Sequence, residues 1–417
     1  MHEAHTGLGR AVRHPATAAV AALGVTQIVA WGTTLYALGV LGKPIAAETG
    51  WSQSLVFGGL TVGLLVSSAV SPSVGRFLDR RGGRAIMSLG SALSAVGLVL
   101  LALVTSSYAY LAAWAFLGLA MRLSLYDAAF AALVQVTPSR GRRAISYLTL
   151  FGGFASSVFW PIGHALNAAY GWRATLLIFA AVNLVLCLPL HWFGLARRET
   201  AAQAVAAHAS EATAAPTGPP LEGRTRTIAM VLFSAIVAAS AVVIGALAVH
   251  LVPILEASGL AAATAVLVAS LKGVAQVAGR IWDLTLARRW HPVDVGRVSV
   301  ALMPLSFTVL MLGGANFWTA LAFTVFFGVS NGLVTIMRGA VPLALFGPRG
   351  YGEVLGVLAT PYLLLAAIAP AAFAVAAERY GHAVAEAILL GAGTFSFLGM
   401  EVMARWYRLQ HQPAHNV

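Results

Sequence analysis

Gly75-Arg76-Phe77-Leu78-Asp79-Arg80-Arg81-Gly82-Gly83-Arg84, with four arginines in ten residues, stands between two apolar runs centred near residues 63 and 95. At an offset of 204, after the apolar run near residue 273, Gly279-Arg280-Ile281-Trp282-Asp283 repeats its opening. Two further echoes follow in the same order. Pro44 with Gly50 matches Pro253 with Gly259 at an offset of 209, and Tyr170-Gly171 matches Tyr380-Gly381 at 210. Three echoes at corresponding loops predict a duplicated chain, in which the basic stretch is a loop between two apolar helices.

Working outward, the composition says where those helices lie. Of 417 residues, 59% are apolar and 10% charged, against roughly 45–50% and roughly 25% in soluble domains. An ordinary water-soluble enzyme is excluded; so much apolar surface must be buried in lipid. Apolar runs of helical length centre near residues 28, 63, 95, 121, 157, 184, 240, 273, 306, 332, 365 and 394. At about 20 residues per span, twelve spans leave loops of ordinary length. The first run follows Arg13-His14-Pro15 and is too long for a signal-peptide core, with no convincing cleavage site before Lys43. The expected fold is an all-α integral membrane protein with twelve transmembrane helices in two six-helix pseudo-repeats. Residues 1–194 form the first half, 195–227 a cytoplasmic linker with the breaker cluster Pro216-Thr217-Gly218-Pro219-Pro220, and 228–417 the second half.

The formal net charge of +12 raises the question of nucleic acid, which the placement of Lys and Arg answers. With the N-terminus inside, nineteen fall on inner segments (Arg10 and Arg13; Arg76, Arg80, Arg81 and Arg84; Arg140, Arg142 and Arg143; Arg197, Arg198, Arg224 and Arg226; Arg288, Arg289 and Arg297; Arg349; Arg405 and Arg408). The outer loops hold three, Lys43, Arg173 and Arg379. By the positive-inside rule this sets the topology, with both termini cytoplasmic in a bacterial-type inner membrane. No nucleic-acid partner is expected. The single Cys187 excludes a disulfide framework and a cysteine metal cluster. No metal-binding His pair, nucleophile elbow or phosphate-binding glycine loop appears, so neither an enzyme, a cofactor nor ATP-driven transport is expected.

Residues 75–84 resemble the loop signature of the major facilitator superfamily, Gly-x-x-x-Asp-Arg-x-Gly followed by basic residues, and Gly279 to Asp283 stand where that family keeps a second copy. Six plus six parallel repeats are this family's arrangement. The resemblance implies a monomeric secondary transporter of a small molecule, with Gly75, Asp79, Arg80, Gly82, Arg84 and Asp283 acting as a conformational latch. Gly75 would let helices approach closely. Asp79 would bridge to Arg140, Arg142 or Arg143 when the cytoplasmic side is closed.

Charges inside a bilayer cost roughly 2.5–3.5 kcal/mol each and are functional by default. Four basic residues fall within spans: Arg122, Lys272, Arg280 and Arg338. Lys272, Gln276, Arg280 and Asp283 share one helical face of span eight. Lys272 either attracts an anionic substrate or pairs with a carboxylate on another span; Arg280 binds substrate or belongs to the latch. Asn331 and Arg338, seven apart in span ten, form a second polar stripe with Thr335. Asp127, acidic within span four, is the proton-carrier candidate or a static ion pair with Arg338, since spans four and ten face each other in the family. Tyr36 and Gln27 with Thr33 and Thr34 line a cavity or pack span one, and Glu401 with Arg405 is expected as an i, i+4 pair.

Three segments resemble the monocarboxylate and oxalate/formate porter branch: Glu48-Thr49-Gly50-Trp51-Ser52, Gly171-Trp172-Arg173, and Gln276-Val277-Ala278-Gly279-Arg280. In that branch the last is Asp-x-x-x-Arg, so Arg280 would bind a carboxylate while Gln276 replaces a proton-coupling Asp. The expectation is alternating access with a small organic anion, such as a monocarboxylate, bound between the halves by Lys272, Arg280, Gln276, Asn331, Arg122 and Tyr36, with a possible coupling proton. The alternative is proton-coupled efflux of a drug-like or toxic compound, including metalloid species, to which the intramembrane Arg122 lends support.

Overall fold

The computed structural model describes residues 15–201, 203, 218–314 and 316–410. Arg10, Arg13 and much of the expected linker, with Pro216 and Thr217, lie outside the described residues. Among the described residues every regular element is helical. Eleven stretches are long and apolar enough to cross a membrane. One of them, Pro138–Gly194, has 57 residues, which as a straight helix would run about 85 Å against a hydrocarbon core of about 30 Å. Gly171, at φ 78° and ψ 168°, breaks it with a conformation that side chains disfavour. The stretch therefore holds spans five and six, which makes twelve spans among the described residues.

Two compact units form: Met1–Ala212 with Pro348–Thr360, and Thr213–Gly347 with Pro361–Val417. The first contains α1 (Pro15–Thr33), α2 (Ala37–Thr49), α3 (Gln53–Arg81), α4 (Gly83–Leu103), α5 (Ser107–Ser124), α6 (Tyr126–Val136), α7 (Gly141–Gly152), α8 (Ala155–Val182) and α9 (Leu188–Gly194). Spans one and four are each two helices, interrupted before Ala37 and at Leu125. Small residues let α3 and α5 touch backbone to backbone, the usual way helices associate in lipid. A Cβ on Gly118 would stand 2.2 Å from the Gly63 carbonyl, and Ser67 Oγ donates to the Gly118 carbonyl at 2.6 Å.

Several polar groups buried in this unit find partners, as a low dielectric favours, while Ser88 Oγ and Ser94 Oγ have none among the described residues. His191, fully buried, places Nδ1 2.8 Å from Ser91 Oγ and Nε2 2.9 Å from Thr26 Oγ1. Cys187 packs inside the core at 1% exposure. At the far end, Glu48 accepts from Trp172 Nε1 at 2.7 Å and Arg173 Nε at 3.1 Å. Arg173 also donates to the carbonyls of Ala102 and Val104. Two short motifs more than a hundred residues apart are thus one structural clasp.

The second unit contains α10 (Gly223–Ala257), α11 (Ala262–Thr285), α12 (Pro292–Leu312), α13 (Phe317–Phe346), α14 (Tyr351–Tyr380) and α15 (His382–Gln410), although α14 up to Thr360 belongs to the first unit. The α11–α13 contact mirrors α3–α5. A Cβ on Gly332 would lie 2.4 Å from the Gln276 carbonyl, and one on Gly328 2.8 Å from that of Lys272. Glu401 does not depend on Arg405: Arg297, on α12, binds it through Nε at 2.6 Å and Nη2 at 2.8 Å.

Candidate functional site

In the first unit, the interruption at Leu125 creates the site. Residues five apart on an unbroken helix point about 140° away from each other. Leu125 is extended (φ −87°, ψ −170°), and Arg122 Nη1 reaches Asp127 Oδ2 at 3.2 Å. Arg122 Nε also donates to Ser71 Oγ on α3 at 2.5 Å. Both charges are largely buried, at 5% and 11% side-chain exposure. This cation is neutralised within its own unit, by a neighbour the sequence reading did not assign to it.

Beside this pair lies an aromatic cluster. Gln27, fully buried, donates from Nε2 to the Ser124 carbonyl at 2.7 Å and accepts from Trp31 Nε1 at 3.2 Å. The Trp31 ring is 5.1 Å from that of Tyr126 and 5.9 Å from that of Tyr36, which meets Trp160 edge-on at 6.5 Å. Sequence reasoning picked out Tyr36 and Gln27 but missed Trp31, Tyr126 and Trp160. The i, i+4 spacing of Gln27 and Trp31 was a usable signal; the others meet only because spans one and four are broken.

In the second unit, α11 and α13, which carry the two predicted polar stripes, pack against each other. Gly328 and Gly332 seat the backbone of Lys272 and Gln276, which leaves the Lys272–Gln276–Arg280 face beside Asn331. Lys272 Nζ lies 5.4 Å from the centre of the Phe327 ring, a cation–π contact. Among the described residues, Lys272 and Arg280 meet no carboxylate, and the side chains of Gln276 and Asn331 make no hydrogen bond. Arg280 is 4% exposed, and its Nε and Nη1 are buried with no partner. Arg338 stacks its guanidinium 3.6 Å from the Tyr362 ring.

The latch residues take partners other than those expected. Asp79 accepts from the backbone N–H groups of Gly352 at 2.9 Å and Glu353 at 2.8 Å, and not from Arg140, Arg142 or Arg143. Its carboxylate thus sits at the N-terminus of α14, where unpaired N–H groups and the helix dipole favour an anion. Gly75 permits the approach: a Cβ there would stand 2.2 Å from the Gly352 carbonyl. Arg76 and Glu353 add an exposed ion pair at 3.6 Å. Gly82, at φ 85°, ends α3, and Gly83 N donates to Gln135 Oε1 at 2.8 Å. Arg84 lies over the Trp192 ring at 4.1 Å, while Arg80 faces outward. In the second copy Asp283 is buried at 3% exposure.

The family model of the Major Facilitator Superfamily matches residues 22–303. Among solved structures, the human organic anion transporter MFSD10 (TETRAN) superposes with a TM-score of 0.69 at 16% identity, over 93% of this chain and 100% of that one. The E. coli fucose:proton symporter FucP gives 0.63 at 13% identity, over 92% and 98%. FucP in an outward conformation gives 0.66 with the same identity and coverage. No curated protein matches the sequence. At such identities the likeness to the solved structures is one of fold.

Proposed function

Because this multi-pass membrane protein belongs to the Major Facilitator Superfamily, whose members include secondary transporters, we propose that it moves a small organic anion across the cytoplasmic membrane by alternating access. The observation that supports this cargo is the unpaired cationic face of α11: Lys272 and Arg280, with Gln276 between them and Asn331 beside them. An unpaired buried guanidinium is costly unless something compensates it, and a carboxylate is the natural partner because it accepts two parallel N–H bonds. The fold itself does not choose, since its solved members include a transporter named for organic anions and one named for fucose. The charge on α11 supports the anion.

In this reading Asp127 is the coupling group. Protonation would remove the charge that Asp127 presents to Arg122, loosening a contact now made at 3.2 Å. Gln276 cannot take a proton, so coupling is assigned to the first unit. Proton-coupled efflux of a drug-like or toxic compound is the second reading, supported by the same buried Arg122–Asp127 pair. The test is uptake and exchange of radiolabelled monocarboxylates in proteoliposomes with Lys272→Ala and Arg280→Ala. Both variants should insert normally and lose at least about tenfold in flux, the loss of one charge-assisted contact. Normal flux in both would overturn the anion site, and flux of cationic drugs instead of carboxylates would move the assignment to efflux.

A further inference from the structure

The second unit has another electropositive feature, away from α11's polar face, at the end of the unit where α11 gives way to α12. A groove of about 610 Å³ opens there between α12 and α15. Its rim is charged and its floor apolar. Asp294 and Glu401 are already satisfied: Arg297 binds both, and Arg408 Nη2 holds Asp294 Oδ1 at 2.6 Å. Arg289 is exposed on the rim and, among the described residues, has no hydrogen bond or ion pair. Three arginines against two carboxylates leave the rim net positive. One turn deeper, Val298, Ala301 and Phe397 are half-buried and present only carbon.

We propose that this groove binds one anionic glycerophospholipid, its phosphate between Arg289 and Arg408 and the start of one acyl chain over Val298, Ala301 and Phe397. Three observations choose this occupant over a soluble anion. The groove changes from cationic to apolar within one helical turn, the profile of a phosphodiester joined to hydrocarbon. Trp290 stands half-exposed on the rim at 45%, as interfacial tryptophans do at headgroup level. In the topology expected from the positive-inside rule, this end lies beside the anionic leaflet, where such pockets hold lipid headgroups. The acids have their own arginines, so the excess charge faces the lipid, not a zwitterionic headgroup's ammonium.

The experiment is native mass spectrometry of the delipidated full chain in detergent, titrated with phosphatidylglycerol, phosphatidylcholine or free glycerol phosphate. The wild type should retain one phosphatidylglycerol preferentially. Arg289→Ala, which breaks no protein contact, should weaken that adduct about fivefold, the equivalent of one basic residue at an anionic surface. Ala301→Trp should weaken it with all arginines intact, by filling the floor. Equal retention of phosphatidylcholine, equal binding of glycerol phosphate, or unchanged binding by either variant would overturn the proposal. Transport by the Lys272 and Arg280 variants is read separately, so the two readings stand or fall independently.

Discussion

Arg122 in the first unit and Arg280 in the second are both buried guanidiniums in membrane-spanning helices, at 5% and 4% exposure. Their surroundings are opposite. Arg122 has Asp127 and Ser71 within hydrogen-bond reach, whereas Arg280 Nε and Nη1 are buried with no partner among the described residues. A charge that a protein neutralises internally belongs to its architecture or to a proton switch, while one left open implies a visitor. In the proposed reading, the difference places coupling in one unit and cargo recognition in the other.

The sharpest way to break this comparison is to remove a charge from each unit and measure stability. Asp127→Ala should destabilise the protein by about 3–5 kcal/mol, because it removes the carboxylate beside a buried guanidinium. Arg280→Ala should leave stability within about 1 kcal/mol or raise it, since no internal partner is lost. Reversible unfolding in mixed micelles checks both, and equal losses would erase the distinction. A smaller effect is expected from the helix contacts that the units share. Gly118→Ala and Gly332→Ala should each cost about 1–3 kcal/mol by forcing α3 from α5 and α11 from α13. Gly332→Ala should in addition lower anion flux, since it displaces Gln276, whereas Gly118→Ala should not act on cargo selectivity. The smallest expected effect is at the clasp. Glu48→Gln should cost about 1 kcal/mol, because Glu48 and Arg173 are partly exposed and their ion pair is screened, while the amide oxygen can still accept from Trp172.

Much of this was legible in the chain. Apolar runs of span length, the Gly-x-x-x-Asp pattern at 75–79 and its copy at 279–283, and the four-residue spacing of Lys272, Gln276 and Arg280 all read directly, because a helix turns periodic sequence into a face. What was not legible came from breaks in that period. Leu125 has no glycine or proline signal on either side, yet it carries the extended residue that joins Arg122 to Asp127. The expected partner of Asp79 was an arginine of the next inner loop, and the structure supplies two backbone amides of α14. Backbone donors at a helix end leave no mark in side-chain composition. Glu401 went to Arg297, not to Arg405 one turn away, because the partner across α12 offers a two-pronged geometry.

The sequence by itself determined that this is a duplicated, helical, membrane-embedded chain, since hydrophobic length acts residue by residue. Only the tertiary structure decided which intramembrane cations are neutralised and which are left open. Pairing depends on distances of about 3 Å between side chains that helix breaks and glycine contacts bring together, and one-dimensional spacing does not contain those distances.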